Sequence, residues 1–349
     1  MHIEISTFGY IGNSVIKQIT LKNDNDVSVK ITNYGGIITA IKAPDSADNI
    51  DNIVCGFDDL DTYLSEEYLG NYPYFGAIIG RNANRIKDGI AEIEGKIYQL
   101  AQNDGNNHLH GGNTGFDKRI WNYRIIEHEE NIGLELSYLS LDFEENYPGN
   151  LQVFCLYTLN NKNELGIEFT AKTDRTTIVN LTNHTYFNLT GRKTNILSHE
   201  LKLNSSGLTE TDQNHIPTGK IIPIKNTPYD FSDFKLFDST KDILPMGYDN
   251  NFIIKGERGI LRYAGTLREI NSGRVVEIHT TQPGLQVYTG YWIPEMCVAG
   301  QKLFGKYSGV ALETQHFPDA IHQKHFPSTI LKPDEKYYSK TVYTIGKKS

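Results

Sequence analysis

Hydrophobic and polar positions alternate with a period of two along much of this chain. Val27, Val29 and Ile31 interleave with Ser28, Lys30 and Thr32, and Leu134, Leu136 and Tyr138 with Glu135 and Ser137. Leu151, Val153, Cys155, Tyr157 and Leu159 fall on one side of a longer run. Such alternation makes a strand with one buried and one solvated face. Shorter runs of the same character lie at 165–170, 201–203, 221–224, 275–280, 285–289, 310–314 and 341–345. Turn formers such as Tyr34-Gly35-Gly36, Asp104-Gly105, Pro148-Gly149, Ser206-Gly207 and Pro283-Gly284 separate the runs. A helical period is sustained nowhere, and one or two helical turns are expected over 58–64. Polar loops are expected at 45–52 and 229–242. The pattern predicts an all-β protein, an antiparallel sandwich or barrel. With no biased linker and no fixed-period repeat, one domain over residues 1–349 is expected.

Composition narrows the function classes. The net charge is −8, from 34 Lys and Arg against 42 Asp and Glu, which argues against nucleic acid or an anionic membrane as the main partner. Cys55, Cys155 and Cys297 are odd in number and far apart, so neither a disulfide framework nor a zinc knuckle is expected. No apolar run approaches the roughly 20 residues of a membrane span, and residues 1–10 lack the basic and apolar regions of a signal peptide. A soluble cytoplasmic protein is the expectation.

Four segments carry polar, aromatic and glycine residues where plain core strands would not. Gly80-Arg81-Asn82-Ala83-Asn84-Arg85 follows an apolar run; its guanidinium and amide groups suit hydroxyl or carboxylate recognition, or form a salt-bridged surface turn. In Asn103–Gly112, His108 and His110 share one face if the segment is a strand, and a metal there needs a third ligand that no neighbour supplies. Gly111 and Gly112 allow close approach of backbone to a ligand, or are ordinary turn residues. In Leu181–Leu189, His184 shares a face with Thr182, Tyr186 and Asn188, and is either chemical or a hydrogen-bonded core histidine. In Gly309–Asp319, Glu313 sits within an apolar strand, where a carboxylate is costly unless paired, functional or on a wet face. Smaller polar sets lie at 247–252 and 280–288. There is no nucleophile elbow, phosphate loop or dinucleotide fingerprint. The residues alone leave two options: acid–base chemistry, or simple binding of a polar small molecule such as a sugar.

In this order, GRNANR (80–85), NDGNNHLHGG (103–112), NLTNHTYFNL (180–189), GYDNNF (247–252), TTQPGLQVYTG (280–290), LETQHFPDA (312–320) and the tail at 331–345 resemble the aldose 1-epimerase (galactose mutarotase) family. The resemblance runs from about residue 30 to the C-terminus. It implies the large galactose mutarotase-like supersandwich, acting without cofactor or metal on free aldohexoses such as galactose and glucose. It further implies Glu313 as general base, His184 as general acid and His110 as the second histidine, near the ring oxygen. Arg85, Asn84, Asp249 and Gln286 are implied as sugar ligands. His108 gains no role, no site is assigned over 291–301, and Tyr186, Trp292 and Phe317 are candidates for an aromatic platform. A monomer or homodimer is expected. The rivals are a hexose-6-phosphate 1-epimerase, a non-catalytic sugar-binding module, and a glycosidase using Asp249 and Glu313, which leaves the histidines unexplained.

Overall fold

The computed structural model describes residues 1–298 and 301–348; Ala299 and Gly300, within the stretch assigned no site, and Ser349, within the expected domain, lie outside them. Three antiparallel sheets make up most of it. The first runs in chain order through His2–Ile11, Ser14–Lys22, Ser28–Thr32, Ile38–Pro44 and Ile50–Asn52. The second has nine strands: Asn122–Glu127, Asn131–Ser140, Leu151–Asn160, Glu164–Thr173, Tyr337–Lys347, Arg274–Thr280, Arg262–Glu269, His199–Leu203 and Lys235–Leu236, in spatial order. The third has six: Tyr186–Phe187, Val310–Gln315, Gly284–Tyr288, Asp249–Ile254, Ser205–Thr211 and Pro217–Ile222.

The alternating residues do what the pattern predicts. Val27, Val29 and Ile31, Leu134 and Leu136, and all five odd positions from Leu151 to Leu159 are buried, and they share one core with Leu285, Val287, Val310 and Leu312 of the six-stranded sheet. The nine-stranded sheet therefore lays one face over the other two, making an all-β sandwich. Tyr157 Oη donates to Gly36 O at 2.8 Å and Tyr343 Oη to Leu312 O at 3.0 Å, tying the layers together.

Three local expectations are corrected. The 45–52 stretch is not wholly loop: Ile50–Asn52 pairs with the strand before it, closing the first sheet. Within 229–242, Lys235–Leu236 forms the last strand of the nine-stranded sheet, followed by a short 3-10 turn at Phe237–Thr240. The helix expected at 58–64 starts at Leu60, because Asp59 accepts the Thr62 amide as its N-cap, and a second short helix, Glu66–Gly70, starts on the Ser65 hydroxyl. These helices lead into the 71–77 segment at the rim of the cleft described below.

The loops that carry polar motifs are braced by their own asparagines. Asn180 donates to Ala83 O at 3.3 Å and accepts the His316 amide at 2.9 Å, Asn183 donates to Gly76 O at 2.9 Å, and Asn188 to Thr194 O and Ser308 O. Asp319, at the end of the LETQHFPDA segment, gives its amide to Arg85 O at 2.9 Å and accepts the Lys87 amide. Gly111 fits its backbone, not a ligand: at φ +89° a Cβ would lie 1.8 Å from Gly80 O. Arg81 is a structural residue. Its buried guanidinium donates to Ser140 Oγ and to the carbonyls of Ser140, Leu141, Pro148 and Gly149, all within 3.2 Å. Replacing Arg81 with Met strips five contacts from buried acceptors, and urea denaturation should show a loss of roughly 3–5 kcal/mol; an unchanged midpoint would contradict this assignment.

Candidate active site

The side of the six-stranded sheet facing away from the core floors a cleft of about 400 Å³, within the usual size of small-molecule sites. Glu313 arrives from the strand Val310–Gln315. Its neighbours Leu312 and Val310 point into the core, so the two-residue period aims the carboxyl at the cleft. That strand is buried on both faces, so Glu313 is not on a wet face; it is 2% exposed. Gln286 stands directly opposite it across the ladder. It donates through Nε2 to Asp249 Oδ1 at 2.6 Å. Asp249 itself, a quarter exposed, forms part of the wall.

His184 sits between two short paired segments, Thr182–Asn183 and Tyr186–Phe187. Its own backbone is fixed from both sides, since its amide donates to Ala77 O at 2.9 Å and its carbonyl accepts the Gly76 amide at 3.0 Å. Nε2 then lies 3.5 Å from Glu313 Oε1. Burial moves the pair in opposite directions. His184 is held down to about 3, because its buried imidazolium loses solvation. Glu313 is pushed well above the usual carboxylate range by burial first and by the charge of Asp249 second, with Arg85 opposing. Burial thus favours the uncharged form of each group.

His108 and His110 do not share a face. The strand ends at Leu109 and His110 adopts φ +51°, so the two rings part. His108 is a buried core histidine, bonded to Ala101 O at 2.7 Å and Tyr147 Oη at 2.5 Å, and burial lowers it to about 4. His110 enters the cleft with its ring centroid 5.2 Å from that of His184. Burial lowers it well below the usual histidine range, and the His184, Arg85, His108 and Lys118 charges add to this. The Asn84 amide donates to His110 Nδ1 at 3.2 Å, while the His110 amide returns to Asn84 O. A neutral ring whose Nδ1 accepts must carry its proton on Nε2.

This tautomer bears on metals. Ligand atoms of His110, His184 and Glu313 lie within 4.8 Å of one another, and the third group comes from far along the chain, not from the His108 segment. A metal on His110 would need a lone pair at Nε2, where the Asn84 contact places the proton. The residues fit a hydrogen-bond donor better than a metal ligand.

Arg85 closes one side, its Nε 2.7 Å from Asp104 Oδ2, and Asn84 stands beside it. Tyr186 and Trp292 line the cleft, whereas Phe317 packs with Ala320 and Phe326 in a separate cluster. Sequence reasoning missed Tyr74, Tyr288 and His215, which also line it. His215 Nδ1 lies 3.8 Å from Asp249 Oδ2. Tyr74 lies in an aromatic run and His215 in a polar turn, and neither carries a periodic signal.

A β-sandwich that sets two neutral imidazoles on a buried carboxyl, ringed by guanidinium, carboxylate and amide groups, defines an acid–base enzyme for a small polar molecule. The comparisons agree. A family model described as Aldose 1-epimerase matches residues 17–344. Galactose mutarotase of Bos taurus is 40% identical over 340 residues, 96% of each chain. Aldose 1-epimerase of Haemophilus influenzae is 33% identical, covering 98% of this chain and 99% of its own. The crystal structure of galactose 1-epimerase from Lactobacillus acidophilus matches with a TM-score of 0.86 at 26% identity, covering 100% of this chain and 99% of that one. The chain belongs to the aldose 1-epimerase family, isomerases that act on carbohydrates. No described helix is long and apolar enough to cross a membrane.

The tautomer is testable by ¹⁵N NMR. The His110 ring should show a protonated Nε2 and no imidazolium between about pH 5 and 8; a protonated Nδ1 would contradict the Asn84 contact.

Proposed function

We propose that this protein, as one domain over residues 1–349, interconverts the α and β anomers of free aldohexoses such as galactose and glucose in the cytoplasm. The observation that carries the reading is the Glu313 carboxyl 3.5 Å from His184 Nε2 beneath the cleft, with His110 beside it.

Ring opening breaks the bond between C1 and the ring oxygen, which leaves poorly as an alkoxide. A proton delivered as the bond breaks avoids that charge. In this reading Glu313 takes the proton of the C1 hydroxyl and His184 supplies one to the ring oxygen, with the His110 Nε2–H donating nearby. The aldehyde turns about the bond between C1 and C2, and closure on its other face runs the two transfers backwards. The uncharged pair of carboxyl and imidazole and the charged pair of carboxylate and imidazolium hold the same single proton. A sugar that donates to Glu313 and accepts from His184 favours the charged form, so substrate selects the reactive arrangement. Arg85, Asn84 and Asp249 hold the remaining hydroxyls, and Gln286 orients Asp249.

The lining favours free over phosphorylated sugars. Among the described lining residues Arg85 is the sole Arg or Lys and is already paired with Asp104, while Asp249 adds a further carboxylate. A phosphate would meet more repulsion than attraction there.

Polarimetry on freshly dissolved α-D-glucose and α-D-galactose tests the reading. The protein should speed relaxation to the same final rotation, and Glu313→Gln or His184→Asn should slow turnover by about 10²–10⁴-fold. Folded variants at wild-type rate would remove these residues from the chemistry, and acceleration with glucose 6-phosphate alone would favour the phosphorylated substrate. Asp249→Ala, which loses a charged hydrogen-bonding group, should lower kcat/KM by about 10–100-fold without unfolding the protein. Unchanged kinetics would take Asp249 out of the binding wall.

A further inference from the structure

We propose that Tyr74 is a positioning residue for both histidines, its ring fixing the His110 and His184 imidazoles against each other at the cleft. This rests on the reading that those histidines act in the chemistry.

The Tyr74 ring touches both. Its centroid is 4.7 Å from that of His110, edge-on at 61°, and 5.9 Å from that of His184, stacked at 24°. Tyr186 covers His184 as well, at 4.8 Å and 33°. Each imidazole therefore has an aromatic wall, and among the described residues Tyr74 alone is shared by the two.

The chain goes out of its way to place this ring. Tyr74 adopts φ +59°, a left-handed conformation that a bulky aromatic residue rarely takes, and which surrounding contacts must enforce. Those contacts are present. The Ala77 amide donates to Tyr74 O at 3.2 Å, and the next residues hold the His184 backbone on both sides, through Gly76 N–H to His184 O and His184 N–H to Ala77 O. Asn183 adds a bond to Gly76 O. One segment thus grips the His184 main chain and, through Tyr74, its ring. From behind, Tyr72 packs on Tyr74 at 4.5 Å, and the Lys118 ammonium sits 4.1 Å from the Tyr72 ring centroid, held by the buried Asp117 at 2.7 Å. A cation over an aromatic face stiffens the stack. It is the ring of Tyr74 that makes both histidine contacts.

Two effects follow. Imidazoles free to rotate would misplace the transferred proton, and an error of about 1 Å can cost about 10²-fold in rate. Water entering the space of the ring would solvate an imidazolium and raise the histidine pKa values. The other charged or titratable groups around the pair are Glu313, Asp249, Arg85 with its partner Asp104, His108, Tyr186 and Lys118, whose ammonium also lies 5.5 Å from the Tyr74 ring centroid.

The test compares Tyr74→Phe with Tyr74→Asn and Tyr74→Leu by polarimetry and by ¹⁵N NMR of the histidines. Asn tolerates the left-handed backbone, so it removes the ring without adding strain, and Leu serves where Asn does not fold. Expected for the ringless variants are a kcat about 10²-fold lower at nearly unchanged KM, and imidazolium signals of His110 and His184 appearing at higher pH, with Phe restoring both. Wild-type kcat and histidine titration in a folded ringless variant would overturn the proposal. So would a Phe variant as slow as Asn, which would assign the work to the hydroxyl. His184→Asn is assayed alongside. If it keeps wild-type turnover, the catalytic reading fails; if it is inactive while Tyr74→Asn is not, only the positioning role fails.

Discussion

The Glu313 carboxyl occupies a strand that is buried on both faces, and the cleft is arranged around the cost of keeping it there. A charged carboxylate at that depth loses far more solvation than a neighbouring imidazole returns. Burial accordingly raises the Glu313 carboxyl and lowers His184 and His110, favouring the uncharged form of each. His184 Nε2 lies 3.5 Å from Glu313 Oε1, and Glu313 Oε2 and His184 Nδ1 have no hydrogen-bond partner among the described residues.

Everything near that pair is tied to something else. Arg85 is committed to Asp104, Asp249 to Gln286, and the His110 Nδ1 to the Asn84 amide. A hydroxylated ligand thus meets groups whose orientations are already set. On the function proposed above, such pre-set groups serve reversible ring opening, because the open-chain sugar must be kept from drifting while its C1 end turns.

Much of this was legible in the chain. The alternation from Leu151 to Leu159 placed every buried side chain on that strand correctly, since a two-residue period follows from strand geometry alone. The ordered motifs pointed to Glu313, His184, His110, Arg85, Asn84 and Asp249, all of which line the cleft. What failed to show depends on the backbone or on distant chain. His108 and His110 look equivalent at i and i+2 until the left-handed turn at His110 separates them. The bond from Gln286 to Asp249 likewise follows from the pairing of two strands, which no local pattern announces. Arg81 and Arg85 look alike in GRNANR, yet one is sealed among carbonyls and the other faces the cleft. Tyr74 and His215 enter only through folding, with no local pattern to announce them.

The asparagines of these motifs explain why weak local signals combine into a specific whole. Asn180, Asn183 and Asn188 point at backbone, and each joins loops far apart in the chain: Asn180 bridges Ala83 and His316, Asn183 reaches Gly76, and Asn188 reaches Ser308. A buried amide that satisfies main-chain groups of two loops at once cannot be exchanged for an apolar side chain without leaving those groups unpaired. The site's geometry therefore depends on residues that never touch a ligand. In a sandwich whose strands supply the floor and whose loops supply the walls, these amides register wall to floor, which sets His184 Nε2 3.5 Å from Glu313 Oε1.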